Sequence, residues 1–412
     1  MTTTRRAFTA LVLLTATLPA LGQDWPQWRG PQRDGVARGV RPPAQWPDKL
    51  RELYRVELGE GHASPVIIAG RLYTFFRAGD REVVRCLDAD AGKEVWSFDY
   101  AAPYKVDPAA AQHGPGPKVT PTVADGRVYT QGMSSQLYCL DATSGKVLWH
   151  RDLAKEYKTD GPQYGTSASL LVDGDLVIAL TGGRKEGAVV AFDKSTGQER
   201  WKTPTDGPAY AAPMAFALAG TRQLLTFTRG SFIGLSPQDG RILWQIPYTT
   251  NYEQNILTPV VWNDLVIISG FARPTLALRV SRAGEQFKAE EVWKNNDLRM
   301  YLSSPVIVGD HLYGHNFSRA GGPIVCIDLK SGKTVWSKGR MGDYVSLVVL
   351  GDRLLCLDET AELTVLEATP KEYKELAKYK VSDSPTWAHL AVTPGRLYVK
   401  DKTRLICFEL PK

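Results

Sequence analysis

The sequence predicts an all-β fold, an eight-bladed β-propeller made of four-stranded antiparallel blades. Tryptophans recur at 96, 149, 201, 244, 293 and 336, at spacings of 53, 52, 43, 49 and 43 residues. Repeat periods of this length are typical of arrays and propellers. Each repeat also opens on two apolar runs joined by a Gly-containing pair, as in SPVIIAGRLYTFF (64–76). That pattern is typical of a β-hairpin, and two further strands per repeat complete a propeller blade.

Four of these tryptophans close a short motif in which Asp is followed four residues later by Gly and four further on by Trp, and Trp244 keeps only the Gly. The motif residues are Asp88, Gly92 and Trp96; Asp141, Gly145 and Trp149; Asp193, Gly197 and Trp201; Gly240 and Trp244; and Asp328, Gly332 and Trp336. A catalytic motif normally occurs once in a chain, so the repetition indicates a structural role. The Gly allows a tight turn, the Asp accepts hydrogen bonds from the turn, and the Trp fills the seam between blades.

The hairpin pattern also predicts where the blades begin. The predicted starts lie near Ser64, Thr120, Ala168, Ala212, Thr258, Ser304, Ser346 and His389. The last unit has only three strands, whereas LYRVEL (53–58) belongs to no unit. We expect residues 53–58 to complete the eighth blade, because closing the ring removes an exposed sheet edge. The propeller then spans residues 51–412, and seven blades is the alternative if the unit at 346–381 is irregular.

The first 50 residues differ in composition from the repeats. Residues 1–22 carry Arg5 and Arg6, an apolar run and a small-residue end, which predicts a secretory signal peptide rather than a helix of the mature fold. The double arginine also resembles a twin-arginine signal. We therefore expect a periplasmic or secreted protein. Residues 23–50 contain Trp and Pro without any period, which predicts an extended strap.

The strap has two interpretations. Its tryptophans, Trp25, Trp28 and Trp46, are expected to pack on the outside of the propeller or across one of its faces. The alternative is a docking peptide for another protein.

Composition excludes several classes of protein. A content of 43% hydrophobic and 23% charged residues fits a globular protein rather than a disordered one. Beyond the leader, no apolar run is long enough to span a bilayer. The formal net charge of +6 falls short of a nucleic-acid-binding footprint. Cys86, Cys139, Cys326 and Cys407 share one repeat position, which favours buried thiols over disulfides.

The loops that enter the innermost strands can reach the mouth of the central channel. Shortly before the blade starts stand His62, Lys118, Tyr164, Tyr210, Asn255, Tyr301, Tyr344 and Trp387. These side chains form either a platform for a ligand or partner, since Tyr and Trp are enriched at recognition surfaces, or wedges between neighbouring blades. Wedging is the more ordinary role of a half-buried tyrosine.

The Asp-x-x-x-Gly-x-x-x-Trp repeat resembles the tryptophan-docking motif of PQQ-type propellers. The stretches DWPQWRGPQRDGVA (24–37), GEGHASPV and YGTSASLLVDGDLVI are similar to a secreted branch of that superfamily. The resemblance covers essentially the whole mature chain. The superfamily contains quinoprotein dehydrogenases and also non-enzymatic scaffolds, such as the B subunit of the bacterial outer-membrane β-barrel assembly machinery. The resemblance therefore implies the fold and leaves scaffold and enzyme open.

The resemblance also implies what an enzyme of this kind would need. Its members hold PQQ with a Ca²⁺ bound by Glu, Asn and Asp, beside a catalytic Asp, a stacking Trp and usually a disulfide of adjacent cysteines. This chain has no adjacent cysteines, and no acidic residue stands in the predicted ring, although Asp343, Glu253 and Asp383 lie near it. Histidine spacing indicates no metal site, and no catalytic residue is assigned.

We therefore expect a scaffold without cofactor that binds a protein partner, a small ligand or a carbohydrate. The alternative is a PQQ- and calcium-dependent dehydrogenase of alcohols or sugars.

Overall fold

The computed structural model describes residues 24–410, so the predicted signal peptide (1–22) lies outside the described range. The described chain forms eight four-stranded sheets, seven of which take their strands in sequence order. Neighbouring strands pair antiparallel throughout, as in the first blade. The eight-blade prediction is confirmed, and the seven-blade alternative is wrong because the unit at 346–381 forms a complete sheet.

The strands follow one another in chain order, with β1 (Glu52–Glu57) ahead of the first blade. Blade 1 contains β2 (Val66–Ile68), β3 (Arg71–Ala78), β4 (Arg81–Asp88) and β5 (Glu94–Ala101). Blade 2 contains β6 (Thr122–Ala124), β7 (Arg127–Gln131), β8 (Gln136–Asp141) and β9 (Val147–Asp152). Blade 3 contains β10 (Leu171–Asp173), β11 (Leu176–Gly182), β12 (Gly187–Asp193) and β13 (Glu199–Thr205). Blade 4 contains β14 (Met214–Leu218), β15 (Thr221–Phe227), β16 (Ser231–Leu235) and β17 (Ile242–Pro247).

The second half of the ring repeats the pattern. Blade 5 contains β18 (Val260–Trp262), β19 (Leu265–Gly270), β20 (Arg273–Ala283) and β21 (Gln286–Asn295). Blade 6 contains β22 (Val306–Val308), β23 (His311–His315), β24 (Gly322–Asp328) and β25 (Thr334–Met341). Blade 7 contains β26 (Val345–Leu350), β27 (Arg353–Asp358), β28 (Glu362–Glu367) and β29 (Glu375–Lys380). Blade 8 contains β30 (Ala391–Thr393), β31 (Arg396–Lys400) and β32 (Arg404–Glu409), and one short α-helix, α1 (Leu153–Glu156), follows blade 2.

Blade 8 takes its outermost strand from the other end of the chain. Strand β1 pairs antiparallel with β32, with Tyr54 opposite Cys407 and Val56 opposite Leu405. The sheet order is therefore β1-β32-β31-β30. This pairing leaves β32 without a free edge and joins the two ends of the ring.

The seam between blades is built on tryptophan and glycine. Trp96 of blade 1 donates its indole N–H to the carbonyl oxygen of Ala142 in blade 2, at 3.0 Å. A Cβ atom on Gly145 would lie 2.6 Å from the Trp96 ring, and Gly145 has φ of +72°. The same contact recurs between Trp149 and Gly197, between Trp201 and Gly240, and between Trp293 and Gly332. Glycine is thus required at this place both for its backbone angle and for space.

Other seams depart from the pattern, and two of them show how. Between blades 8 and 1, Tyr54 of β1 packs on Gly92, where a Cβ would lie 2.6 Å from its ring. Its hydroxyl donates to the carbonyl oxygen of Ala89 at 2.8 Å. Between blades 4 and 5, Trp244 donates within its own blade, to Oε1 of Gln223 at 2.6 Å. Tyrosine therefore takes the tryptophan's place at the closure.

The geometry that recurs in these turns comes from the motif aspartates. Asp141 Oδ1 accepts the backbone N–H groups of Thr143, at 3.1 Å, and Ser144, at 2.8 Å. Asp193 does the same for the two residues at the equivalent place in its own turn. These bonds satisfy turn donors that face solvent, so the aspartates serve the backbone.

Adjacent blades are also linked at the axis by hydroxyl groups. The backbone N–H of Ser64 donates to Oγ1 of Thr120 at 3.1 Å, and the N–H of Thr120 donates to Oγ of Ser169 at 3.0 Å. The N–H of Thr258 likewise donates to Oγ of Ser304 at 3.1 Å. Small hydroxyl residues at the blade starts therefore bond one inner strand to the next, in addition to fitting the crowded axis.

All five cysteines lie among the described residues, and they are buried and free. Burial raises the pKa of the Cys86 thiol to about 11 and that of Cys139 to about 12. The thiols are therefore neutral at physiological pH and pack as small apolar side chains.

The seam can be tested with a matched pair of glycine substitutions. Gly145→Ala should lower the free energy of unfolding by about 1–2 kcal/mol for the left-handed backbone and by about 1–3 kcal/mol more for the clash with Trp96. Gly126→Ala has φ of +70° and nothing within 4 Å of the new Cβ, so it should show the backbone cost alone. Urea denaturation of both variants measures the difference. Equal losses would mean that the Trp96 contact contributes nothing.

Candidate functional site

Residues 24–50, the strap, cross the ring on its axis. Trp25 is buried, and its N–H donates to the carbonyl oxygen of Ile67 in blade 1 at 2.7 Å. Farther along, the N–H of Ala37 donates to the carbonyl oxygen of Val349 in blade 7 at 2.8 Å. The strap thus forms isolated bridges with the innermost strands of two blades. Trp46 then packs beside Tyr379, with ring centroids 6.3 Å apart.

Two fully buried arginines fasten the strap to the channel walls. Arg33 donates to the carbonyl oxygens of Leu170, at 2.8 Å, and Ser169, at 3.0 Å, just before blade 3. Arg29 donates to the carbonyl oxygen of Pro305, just before blade 6. Burial lowers the pKa of Arg29 to about 10, and burial together with the charge of Arg29 lowers the pKa of Arg33 to about 9. Both guanidinium groups therefore stay charged at neutral pH.

Trp28 of the strap forms the floor of a cavity on the axis. Its indole N–H donates to Oγ1 of Thr258 at 3.0 Å, and its ring meets His389 edge-on, with centroids 5.3 Å apart. The inner cavity above it has a volume of about 150 Å³. On the other side, Gln27 and Arg33 line a separate cavity of about 570 Å³. The channel is therefore divided, and the inner cavity is blind.

Seven of the eight side chains predicted at the channel mouth line the inner cavity. They are His62, Lys118, Tyr164, Tyr210, Tyr301, Tyr344 and Trp387. Asn255 was predicted with them, and this placement is wrong. It is 1% exposed, and its amide donates to the carbonyl oxygens of Thr228, at 2.9 Å, and Tyr248, at 3.1 Å. The preceding residue, Gln254, lines the cavity instead and accepts a hydrogen bond from the Tyr301 hydroxyl.

His113 is a second lining residue that the blade pattern missed. It belongs to the insertion at 101–117, outside the repeat, and ends a 3₁₀ helix. Its carbonyl oxygen lies 2.8 Å from Nε2 of His62, so Nε2 of His62 carries the proton and donates. Its ring meets Trp387 edge-on, with centroids 5.1 Å apart. The insertion therefore supplies part of the cavity wall.

A buried ion pair holds this insertion in place. Arg77 donates to the carbonyl oxygens of Pro115 and Ala102, both at 2.8 Å, and pairs with Glu82 at 3.1 Å. Tyr100 donates its hydroxyl to the second oxygen of Glu82 at 2.6 Å. Because both charged groups are buried and fully bonded, they fix the insertion to blade 1.

Aromatic rings form two sides of the inner cavity. Tyr344 and Trp387 stack, with centroids 5.7 Å apart and planes 20° apart. Across the cavity, Tyr164 and Tyr210 meet edge-on with centroids 5.6 Å apart. Such rings offer flat apolar faces with polar edges, which is the surface that packs against a ring of a ligand.

A wider vestibule of about 1330 Å³ opens above the inner cavity and shares part of its wall. Its lining includes four basic residues, Arg184, Lys185, Arg229 and Arg319. Among the described side chains, the acidic ones in this lining are Asp343 and Glu359. Both Glu359 oxygens accept backbone N–H groups, one from Asp343 at 2.8 Å and one from Tyr344 at 2.9 Å. We call the vestibule and the inner cavity together the funnel.

Apart from the tyrosine phenols, the titratable groups that line the inner cavity are basic. Burial, helped by the charge of Lys400, lowers the pKa of His62 to about 3. Burial and then Lys118 lower the pKa of His113 to about 4. Burial lowers the pKa of Lys118 to about 8. At neutral pH both histidines are therefore neutral and the lysine is mostly an ammonium.

The funnel's donors do not fit a calcium-bound quinone. Within residues 24–410, no group of three or more His, Cys, Asp or Glu side chains is placed to hold a metal ion. Calcium takes six to eight oxygen ligands. Of the two acidic side chains described in the vestibule lining, Glu359 already has both oxygens bonded to backbone N–H groups. No reaction step is therefore assigned to a cofactor here.

Fold and funnel define an eight-bladed propeller of the PQQ-like class, with a blind axial site. A family model described as "Outer membrane protein assembly factor BamB" matches residues 80–338, more than half of the chain. The chain belongs to this family.

The relatives include BamB proteins and quinone-dependent alcohol dehydrogenases. BamB of Yersinia pestis is 21% identical over 295 residues, which cover 71% of this chain and 61% of that protein. The quinohemoprotein alcohol dehydrogenase ADH-IIG of Pseudomonas putida is 30% identical over 158 residues, 36% of this chain and 20% of the enzyme. A europium-containing methanol dehydrogenase structure superposes with a TM-score of 0.68 at 13% identity, covering 94% of this chain and 98% of that one. The last likeness concerns the fold alone.

The chain thus spans less than two thirds of either relative found by sequence. In addition, no helix in the described part of the chain has the length and apolar character needed to cross a membrane.

The attachment of the strap can be tested at Arg33. Arg33→Met removes the donor to the buried carbonyl oxygen of Ser169 and one of the two donors to that of Leu170, which the Thr122 hydroxyl still bonds. This should cost about 1–3 kcal/mol and free the strap. Limited proteolysis followed by mass spectrometry should then show cleavage within residues 24–50 at a lower protease concentration than for the wild type. Arg38→Met is the control, because Arg38 is 40% exposed and pairs only with Asp34 at the surface. Equal resistance of both variants would contradict the anchoring role.

His389, the buried histidine beside Trp28, should make the stability of the fold sensitive to acid. Burial, and then Arg29, lower the pKa of His389 from 6.5 to about 3. The unfolded chain takes up this proton below pH 6.5 and the folded chain does not, so stability falls as the pH falls from 6.5 towards 3. When the pH is lowered from 7 to 5, the free energy of unfolding of His389→Gln should fall by about 1–2 kcal/mol less than that of the wild type.

Urea titrations at the two pH values measure this difference. His311→Gln, at a partly exposed position on β23, is the matched control and should lose as much as the wild type. An unchanged loss in His389→Gln would show that His389 does not contribute to acid sensitivity.

Proposed function

We propose that this protein is a non-catalytic binding propeller, exported to the periplasm or beyond, whose funnel receives its ligand end-on. The observation that carries the proposal is the blind inner cavity, floored by Trp28 and walled by aromatic side chains. A cavity closed at one end and open through a wide vestibule admits the end of a ligand and stops it.

The lining supports binding rather than chemistry. Pairs such as Tyr344 with Trp387 and Tyr164 with Tyr210 give ring faces, and Gln254 and Ser167 add hydrogen-bonding groups. The described residues of the inner cavity include no carboxylate that would act as a general base. A small ligand or the end of a carbohydrate chain therefore suits the funnel.

A protein partner fits the same face of the molecule. The matching family model carries the words "assembly factor", and the vestibule is wide enough, at about 1330 Å³, for a loop or chain end of another protein. In this form of the proposal, the partner contacts the vestibule and inserts one group into the inner cavity.

The second candidate is a PQQ- and calcium-dependent dehydrogenase of alcohols or sugars. It is supported by the 30% identity with the P. putida dehydrogenase over 158 residues. The same comparison covers only 20% of that enzyme, and the funnel donors do not fit calcium. We therefore place this candidate second.

Titration calorimetry of the chain from Gln23 onward separates the two candidates. With PQQ, we expect no saturable heat that depends on Ca²⁺. With a panel of neutral sugars, sugar acids, aromatic acids and short peptides, we expect at least one ligand to bind. Trp387→Ala should weaken that binding at least about tenfold, the usual cost of losing one stacked aromatic anchor.

The matched control is Trp46→Ala, since Trp46 lies outside the funnel beside Tyr379. It should leave the affinity unchanged. Calcium-dependent PQQ binding at micromolar concentration would instead establish the dehydrogenase candidate. A ligand whose affinity is unaffected by Trp387→Ala would place the binding surface elsewhere.

A further inference from the structure

Lys118 stands out among the lining residues because its charge has no counterpart. It lines the inner cavity, and its ammonium donates to the carbonyl oxygen of Tyr164 at 2.5 Å. An ammonium carries three N–H donors, and this is the one hydrogen bond that the described residues give it. Two donors therefore remain for a group inside the cavity.

The groups around Lys118 do not neutralise it. His62 and His113, the titratable neighbours in the cavity wall, are neutral bases. No described carboxylate forms an ion pair with Lys118, and its pKa is lowered by burial alone. Asp343 and Glu359 line the vestibule rather than the inner cavity. A partly buried charge without a partner costs free energy, and an anionic ligand group would offset that cost.

The size and walls of the inner cavity restrict what carries the anion. Its volume of about 150 Å³ is below the 300–1,000 Å³ of ordinary drug-sized pockets, so one small ring fits and a fused ring system does not. The stacked pair Tyr344 and Trp387 gives a face for such a ring. The floor below is Trp28, and the rest of the ligand would extend into the vestibule.

We infer that the inner cavity binds a carboxylate carried on a single six-membered ring, with the Lys118 ammonium as its counter-ion. The inference rests on the proposed binding function and names the ligand class. The ring packs against Trp387, and the carboxylate accepts the two remaining N–H groups of Lys118. Two sources share this chemistry, the uronic acids of polysaccharides and benzoate-like aromatic acids.

The experiment compares each acid with its neutral counterpart. Glucuronate and glucose, and benzoate and benzyl alcohol, are titrated into the chain from Gln23 onward and followed by calorimetry and saturation-transfer NMR. We expect at least one acid to bind about tenfold or more tightly than its neutral counterpart, since a hydrogen bond to a charged group is worth that much. The pair that shows the difference identifies the source.

Variants then assign the effect to the lysine. Lys118→Met keeps the length of the side chain and should remove the preference for the acid. Lys146→Met makes the same change of charge at an exposed position on the outer turn of blade 2 and should leave the preference intact. Circular dichroism and melting curves check that both variants fold, and the acid-to-neutral ratio on the wild type tests the inference without any variant.

The outcomes separate this inference from the proposed function. Equal affinity for acid and neutral ligand, or a preference that survives Lys118→Met, would overturn the carboxylate assignment. If Trp387→Ala then abolishes binding of the neutral ligand, the proposed binding function stands and only the carboxylate assignment fails. Absence of binding by both acids, while another ligand of the wider panel binds, would likewise overturn the carboxylate assignment alone.

Discussion

Two buried guanidinium groups hold the strap across the axis, and the shape of the binding surface depends on them. The inner strands of the blades contact their neighbours around the ring, which leaves the axis itself to be filled. Arg29 and Arg33 reach backbone carbonyl oxygens near blades 6 and 3, where charge-assisted hydrogen bonds are stronger than neutral ones. The strap thereby converts an open channel into a blind funnel, and its position as the floor limits the size of a ligand in the inner cavity.

Much of the fold could be predicted because each blade must pack against the next one through similar contacts. A tryptophan covers a glycine of the next blade, so both recur at the blade period, as with Trp96 and Gly145. The contact between Tyr54 and Gly92 at the closure could not be predicted, because Tyr54 takes the place of the tryptophan from a segment outside the repeats. Trp244 follows a motif glycine, Gly240, but does not pack on a glycine of blade 5. The turn between β20 and β21 in blade 5 lies at Gly284 and does not have the shape of the motif turns.

The site was predictable only where it follows the blade register. The entering loops place most predicted residues in the cavity, whereas Asn255 is displaced because a short 3₁₀ helix (Asn251–Glu253) alters the loop before it. His113 comes from an insertion and Trp28 from the strap. Neither segment has a period, so no spacing in the sequence relates them to the axis. The blind floor and the uncompensated charge of Lys118 both needed three-dimensional contacts to be seen.

The closure of the ring sets an order on how the molecule assembles. Pro47 accepts a hydrogen bond from Tyr379, 332 residues away along the chain, and β1 pairs with β32 at the far end. The strap and β1 are synthesised first among the described residues, yet they pair with residues that are synthesised last. Such pairings between distant parts of the chain form slowly. Until blade 8 exists, the last sheet is missing and Trp28 lacks its contact with His389. A chain that stops before residue 387 would therefore lack Trp387, and with it one aromatic wall of the inner cavity.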